Sequence, residues 1–114
     1  MLSARNRMTR STDFDAAVRC GKKAVQPDMV IYMRRATGDP KLGLIVSRSV
    51  GSAVQRHGLS RRLRHVARDV LAGLNNSEHI VIRALPSSRE VVSARLAEEL
   101  RAGLRRIQSV GSKR

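Results

Sequence analysis

Val50–Asp69, VGSAVQRHGLSRRLRHVARD, packs five arginines and two histidines into twenty residues. From Leu59 onward the apolar residues Leu59, Leu63, Val66, Ala67, Val70, Leu71 and Leu74 follow the i, i+4, i+7, i+8, i+11, i+12, i+15 series of a helix with one buried face. At about 100° per residue, Arg61, Arg64, His65 and Arg68 then fall on the other side. Such a helix gives its apolar stripe to a core and turns several guanidiniums the same way into water. Nucleic-acid phosphates are the commonest regular array of negative charge for it to meet. A merely solvated basic face is the alternative, because surface helices are often charged.

The charge of the whole chain favours the first reading. Against 9 Asp and Glu stand 23 Lys and Arg, a formal net charge of +14 with a pI near 11.8, so the excess extends well beyond one helix. A membrane surface is the rival partner. Against it, no apolar run approaches about 18 residues, no signal-peptide core follows the basic start MLSARNRMTR, and Trp is absent. The expectation is a single RNA-binding domain over residues 1–114, with 1–10 as a flexible basic arm and no membrane association. A chain of 114 residues that is 41% apolar supports one modest core. Cys20, the lone cysteine, can form no internal disulfide; it is expected as a half-buried structural thiol in a reducing cytoplasm. His57, His65 and His79 lack the close spacing of metal ligands, so they are expected to face solvent or RNA, with no metal site.

Around the basic helix the pattern reads helix, strands, helix, strand, helix. Ser11 or Thr12 can cap a short helix through Asp13, Phe14, Ala17 and Val18 that ends at Gly21. Met29–Arg34 and Leu42–Ser47 are rich in Val, Ile, Leu and Tyr, and Thr37-Gly38-Asp39-Pro40 supplies a turn between them. These two strands are expected to form an antiparallel pair. Gly73, Asn75, Asn76 and Ser77 break the basic helix, His79–Leu85 forms a further strand, and Pro86 closes it. Ser87 and Glu90 stand at capping-box spacing ahead of a last helix whose stripe is Val92, Leu96, Leu100, Leu104 and Ile107. Residues 111–114 are expected as a loose tail. The result is an α/β sandwich with helices over a small sheet.

Several chemistries are excluded. Val50-Gly51-Ser52 lacks the further glycines and the Lys-Ser/Thr ending of a phosphate loop, and no GxSxG elbow occurs. The carboxylates are scattered, with Asp13 and Asp15 in the first helix and Glu98 and Glu99 adjacent in the last. Paired carboxylates for metal or acid–base catalysis are therefore not expected, and no residue is assigned as catalytic. A single Phe and a single Tyr also argue against a reader that stacks many bases on aromatic platforms.

The stretch LGLIVSRSVGSAVQRHGLSRRLRHVARD, residues 42–69, resembles the signature of the bacterial ribonuclease P protein subunit. There a strand ending in Val-Ser-basic runs into Val/Ile-Gly-Asn-Ala-Val and then an Arg-Asn-Arg-x-Lys-Arg helix. The resemblance extends over nearly the whole chain, through the early Asn6-Arg7, Asp13-Phe14, the Val30-Ile31-Tyr32 strand, Ile80–Ala84 and the closing amphipathic helix. It implies an α-β-β-β-α-β-α order around a four-stranded sheet, a ribosomal-protein-like fold with a left-handed βαβ crossover through the basic helix, and a short extra strand near Lys22–Val25. It also implies a cytoplasmic, Mg2+-dependent ribonucleoprotein endonuclease that removes the 5′ leader of precursor tRNA. In that family the RNA subunit is the catalyst and holds most of the Mg2+. The implied partners are ribonuclease P RNA and precursor tRNA, with no protein partner required.

For the RNA face the resemblance marks Arg48, Arg56, Arg61 and Arg64, His57 stands inside the same motif, and helix geometry adds Arg62 and Arg68. For the leader cleft it marks Phe14 and Tyr32, with Val18 where relatives often carry a second aromatic. Core packing is the competing role for both aromatics. The chain departs from the motif at Arg56-His57-Gly58, at Ser60 in place of Lys and at Ser52 in place of Asn. Gly58 contributes no side-chain contact and costs about 1 kcal/mol relative to Ala inside a helix. On charge alone, Arg at position 58 is expected to tighten RNA binding. A structural RNA-binding protein of ribosomal type is the alternative function, and a stand-alone nuclease is disfavoured by the missing carboxylate cluster.

Overall fold

The structure, a computed structural model, describes residues 6–36, 38–71 and 78–112. Its elements are α1 (Ser11–Cys20), β1 (Lys22–Val25), β2 (Met29–Arg35), β3 (Lys41–Ile45), α2 (Ala53–Leu71), β4 (Glu78–Ala84) and α3 (Ser93–Ser112). Two single 3-10 turns, Arg48–Val50 and Pro86–Glu90, lead into α2 and α3. The order is the α-β-β-β-α-β-α expected from the family resemblance, including the short strand at Lys22–Val25.

The four strands form one sheet in the order β1-β2-β4-β3. β2 pairs antiparallel with β1 and β4, whereas β3 pairs parallel with β4 through the α2 connection. The expected antiparallel pairing of β2 with β3 is therefore incorrect: β4 lies between them. Burial supplies the reason. Met29–Met33 and Glu78–Ile82 are buried in unbroken five-residue runs, the pattern of strands covered on both faces. β1 and β3 carry the lysines and half-exposed residues of edge strands.

Alternation along the strands divides the sheet into two faces. Met29, Ile31 and Met33 with Leu42, Ile80 and Ile82 meet Leu59, Leu63 and Ala67 of α2 and Leu96, Leu100 and Leu104 of α3. Each Leu, Ile and Met among them contributes about 1.5–3 kcal/mol by leaving water. On the opposite face Val30, Tyr32 and Val81 pack with Met8, Ala17 and Phe14 under the much shorter α1. Gly43 belongs to this second face, and the Phe14 ring crosses it so closely that a Cβ would stand 2.5 Å from the ring.

Several local expectations change. Residues 6–8 do not hang free as an arm: Met8 N–H donates to Leu42 C=O at 2.8 Å and Met8 is buried. α1 begins at Ser11 with no side-chain cap, so neither Ser11 nor Thr12 caps it. α2 starts only at Ala53, where Ser52 and Gln55 form a reciprocal capping box, with N–H to side-chain oxygen distances of 2.8 and 3.2 Å. Ser87 does not cap α3. It donates to Asp28 Oδ1 at 2.5 Å, while Val92 lies outside the buried stripe at 67% exposure. Gly111 and Ser112 continue α3 rather than forming a loose tail. Cys20 is exposed, not half-buried. Leu74 and the break at residues 73 and 75–77 lie outside the described residues, as do Thr37 and the side chain of Leu71.

α3 also clamps the β1–β2 turn. Gln26 Nε2 donates to Glu99 C=O at 2.9 Å, Asp28 N–H to Glu99 Oε1 at 3.0 Å, and Arg106 Nη1 to Val25 C=O at 3.1 Å. Burial raises the Glu99 carboxyl above its ordinary range, and the hydrogen bond with Glu99 lowers Asp28.

Candidate nucleic-acid interface

The apolar stripe of α2 faces the sheet as its periodicity requires, which turns the basic residues outward. Arg61, His65 and Arg68 are exposed and Arg64 is half-buried. Arg68 Nε stands 3.8 Å from Asp69 Oδ1, an exposed and weak pair. His57 is exposed on the same helix, and Arg48 is exposed in the turn before it. Arg56 is half-buried, with its Nε enclosed and without a hydrogen-bond partner.

Arg62 is engaged by the protein itself. Its Nη1 donates to Val91 C=O at 2.6 Å and its Nη2 to Arg89 C=O at 3.2 Å, and Arg89 Nη1 reaches back to Val50 C=O at 3.1 Å. The guanidinium that helix geometry added to the RNA face thus braces α2 against the entry to α3. The docked N-terminal segment adds Arg7 to the same neighbourhood. A cavity of about 440 Å³ is lined by Arg7, Arg61, Arg62, Arg64 and His65 together with Gly58 and Ser93. Among the described residues no carboxylate lines it, so the like charges repel one another until an anion enters. Arg7 was missed as a site residue because its placement depends on the pairing of residues 6–8 with β3.

The second candidate surface lies under and beside α1. Phe14 is half-buried across Gly43, Tyr32 is 6% exposed and Val18 is 37% exposed. Packing therefore accounts for most of both aromatic rings. The register places Lys23 opposite Tyr32, Val25 opposite Val30 and Arg83 opposite Val30 on its other side. Lys23, Val25 and Arg83 are exposed on the part of this face that α1 leaves bare. Alternation along each strand carried that signal, but it becomes a surface only once the strand order is known.

His79 sits at the far end of the same face and is 5% exposed, so the expectation that it faces solvent or RNA is incorrect. Burial lowers its pKa, Asp13 opposes that shift, and Arg34 and Lys41 reinforce it. Among the described residues no three His, Cys, Asp or Glu side chains come together as metal ligands. No helix among them is long and apolar enough to cross a membrane.

A small α/β domain that turns an arginine-rich face outward from a βαβ crossover helix defines a basic RNA-binding protein. The sequence model of the family described as Ribonuclease P matches residues 2–108. The chain belongs to that family, the protein subunits of a ribonucleoprotein endoribonuclease of tRNA processing. It is 56% identical to the ribonuclease P protein component of Mycobacterium ulcerans over 120 residues, covering 100% of both chains. It is likewise 56% identical to that of Mycobacterium tuberculosis over 116 residues, again with 100% of both covered. In fold it resembles the ribonuclease P protein of Staphylococcus aureus, with a TM-score of 0.77 and 20% identity over 88% of this chain and 93% of that one. The Thermotoga maritima protein gives a TM-score of 0.74 and 23% identity over 90% and 96%.

Proposed function

We propose that this chain binds ribonuclease P RNA through the outer face of α2 and the 5′ leader of precursor tRNA through the bare sheet face beside α1. The observation that carries the reading is the cluster of Arg7, Arg61, Arg62, Arg64 and His65 around one cavity with no carboxylate among its described lining residues. Arg48, Arg56, His57 and Arg68 extend the same face. At the leader surface, Phe14, Val18 and Tyr32 supply an apolar wall beside α1, and the exposed Lys23 and Arg83 supply phosphate contacts. No residue of this chain is assigned to bond cleavage. The reaction is assigned to the RNA subunit, on which bound Mg2+ would supply the Lewis-acid chemistry. The protein's own part is to replace diffuse counterions around crowded phosphates and to hold the leader. The site of action is the cytoplasm, and no further protein is required.

Reconstitution tests this. Purified protein alone is expected to leave precursor tRNA intact. Added to the transcribed RNA subunit, it is expected to restore leader removal at a Mg2+ concentration where the RNA alone is inactive. An unchanged Mg2+ requirement would instead favour a purely structural RNA-binding role.

A further inference from the structure

Gly58 lies in the second turn of α2, and the fold gives no reason for a glycine there. Its φ is not in the left-handed region, which among the described glycines is a property of others. A Cβ built on it meets nothing within 4 Å. Neither backbone strain nor close packing within the protein therefore excludes a side chain. Glycine is also the residue that lets a ligand approach a backbone closely.

The surroundings say what kind of ligand. Three surface cavities, of about 440, 490 and 470 Å³, have Gly58 as their common lining residue. The last is lined by Ala53, Val54 and Gly58 together with His57 and Arg61. Val54, one turn before Gly58 on the same face, is 82% exposed, an apolar side chain that shares this cavity with His57 and Arg61. A phosphate set on Val54 and bare helix would give up water without gaining donors. A nucleobase has a flat apolar face that suits this lining and polar edges that suit an imidazole and a guanidinium, both of which also stack on bases.

We infer that the Gly58 notch seats one unstacked nucleobase of the partner RNA, lying on Val54 and the exposed helix backbone between His57 and Arg61, with its flanking phosphates directed to Arg7 and Arg64. The inference rests on the reading of α2 as the RNA-binding face. It reverses what charge alone leads one to expect of position 58, because any side chain there fills the seat.

The test measures binding of the full-length protein to its transcribed ribonuclease P RNA across a salt series, alongside thermal unfolding of the free protein. Gly58→Ala is expected to raise the melting temperature yet weaken binding about tenfold, the order of one lost base stack. The slope of log affinity against log salt should stay unchanged, since no phosphate contact is removed. Val54→Ala, at an exposed position, should weaken binding in the same salt-independent way and decides the matter if Gly58→Ala perturbs the helix. Binding by both variants as tight as the parent, or tighter binding with a steeper slope by Gly58→Arg, would overturn the notch. Arg61→Ala and Arg64→Ala in the same series keep the two ideas apart. If they flatten the slope while Gly58→Ala and Val54→Ala change nothing, only the notch fails; if they too change nothing, the RNA-facing reading of α2 fails.

Discussion

α2 and α3 are near twins in length, lie side by side on one sheet face and each carry a glycine in their interior, yet they handle charge in opposite ways. α2 has five arginines and one aspartate; α3 has four arginines and two glutamates. On α3, Arg95 stands 3.9 Å from Glu98 and 3.5 Å from Glu99, and Arg106 is held by the β1–β2 turn. On α2, Arg62 is the guanidinium that the fold uses, while Arg61 and Arg64 open onto a cavity without acids. The glycines repeat the contrast. A Cβ at Gly103 would run into Ile31 Cδ1, whereas one at Gly58 would meet only open space. The number of exposed arginines alone does not separate the two helices, since Arg101 and Arg105 of α3 are exposed too; what separates them is that Arg61 and Arg64 converge with Arg7 and His65 on one cavity.

The largest expected effect tests that distinction directly. The double variant Arg61→Ala/Arg64→Ala should lose about 3 kcal/mol or more of RNA affinity, taking about 1.5 for each charged hydrogen bond. Its salt slope should flatten by up to about two units. Arg101→Ala/Arg105→Ala removes two exposed arginines from α3 and should leave the slope near that of the parent. Equal losses in the two double variants would mean that RNA wraps both helices and that the contrast is only one of ion pairing.

The paired glycines come next, read by thermal or urea unfolding of the free protein. Gly103→Ala should destabilise by about 1–3 kcal/mol, the range for overpacking a filled core. Gly58→Ala should stabilise by about 0.5–1 kcal/mol through helix propensity. The same substitution thus acts with opposite sign in two helices of the same sandwich. A shift of the same sign in both would show that the space around Gly103 relaxes freely.

Both helices and the basic face were legible in the sequence, because helical periodicity is local and survives any tertiary arrangement. Leu59, Leu63, Ala67, Leu96, Leu100 and Leu104 could be placed inside from spacing alone. Strand order could not. The insertion of β4 between β2 and β3 is a long-range choice, and a turn such as Gly38-Asp39 is compatible with a hairpin and with a departure from the sheet. The four-residue strand Lys22–Val25 has too few residues to show alternation, and only the family resemblance located it. The bracing of Arg62, the arrival of Arg7 and the burial of His79 escaped the sequence for one common reason. Helix geometry tells which way a side chain leaves its own element, but not whether the entry to α3, the N-terminal segment or α1 will be there to meet it.

Arg62 sharpens the comparison at a smaller scale. If its role is to brace α2 on the carbonyls of Arg89 and Val91, Arg62→Ala should lower stability by about 1–2 kcal/mol, discounted for partial exposure. It should change the salt slope of RNA binding less than Arg61→Ala does. A slope change matching that of Arg61→Ala, with stability intact, would return Arg62 to the RNA face.

The smallest effect concerns the face opposite the two long helices, where His79 is buried neutral beneath α1. Its folded pKa is lowered from 6.5, chiefly by burial, with Arg34 and Lys41 reinforcing the shift and Asp13 opposing it. In the unfolded chain the imidazole takes up a proton near its ordinary pKa, whereas in the folded protein it resists until a lower pH. Over that interval the unfolded state binds more protons, so stability falls as pH falls. The His79 contribution is thus complete above about pH 6.5 and declines below it, before most carboxylates titrate. Urea midpoints measured between about pH 8 and about pH 5.5 should decline for the parent protein and decline less for His79→Leu. A parent slope equal to that of His79→Leu would mean that His79 gains access to water or to the Asp13 carboxylate, and that α1 covers its end of the sheet more loosely than α2 and α3 cover theirs.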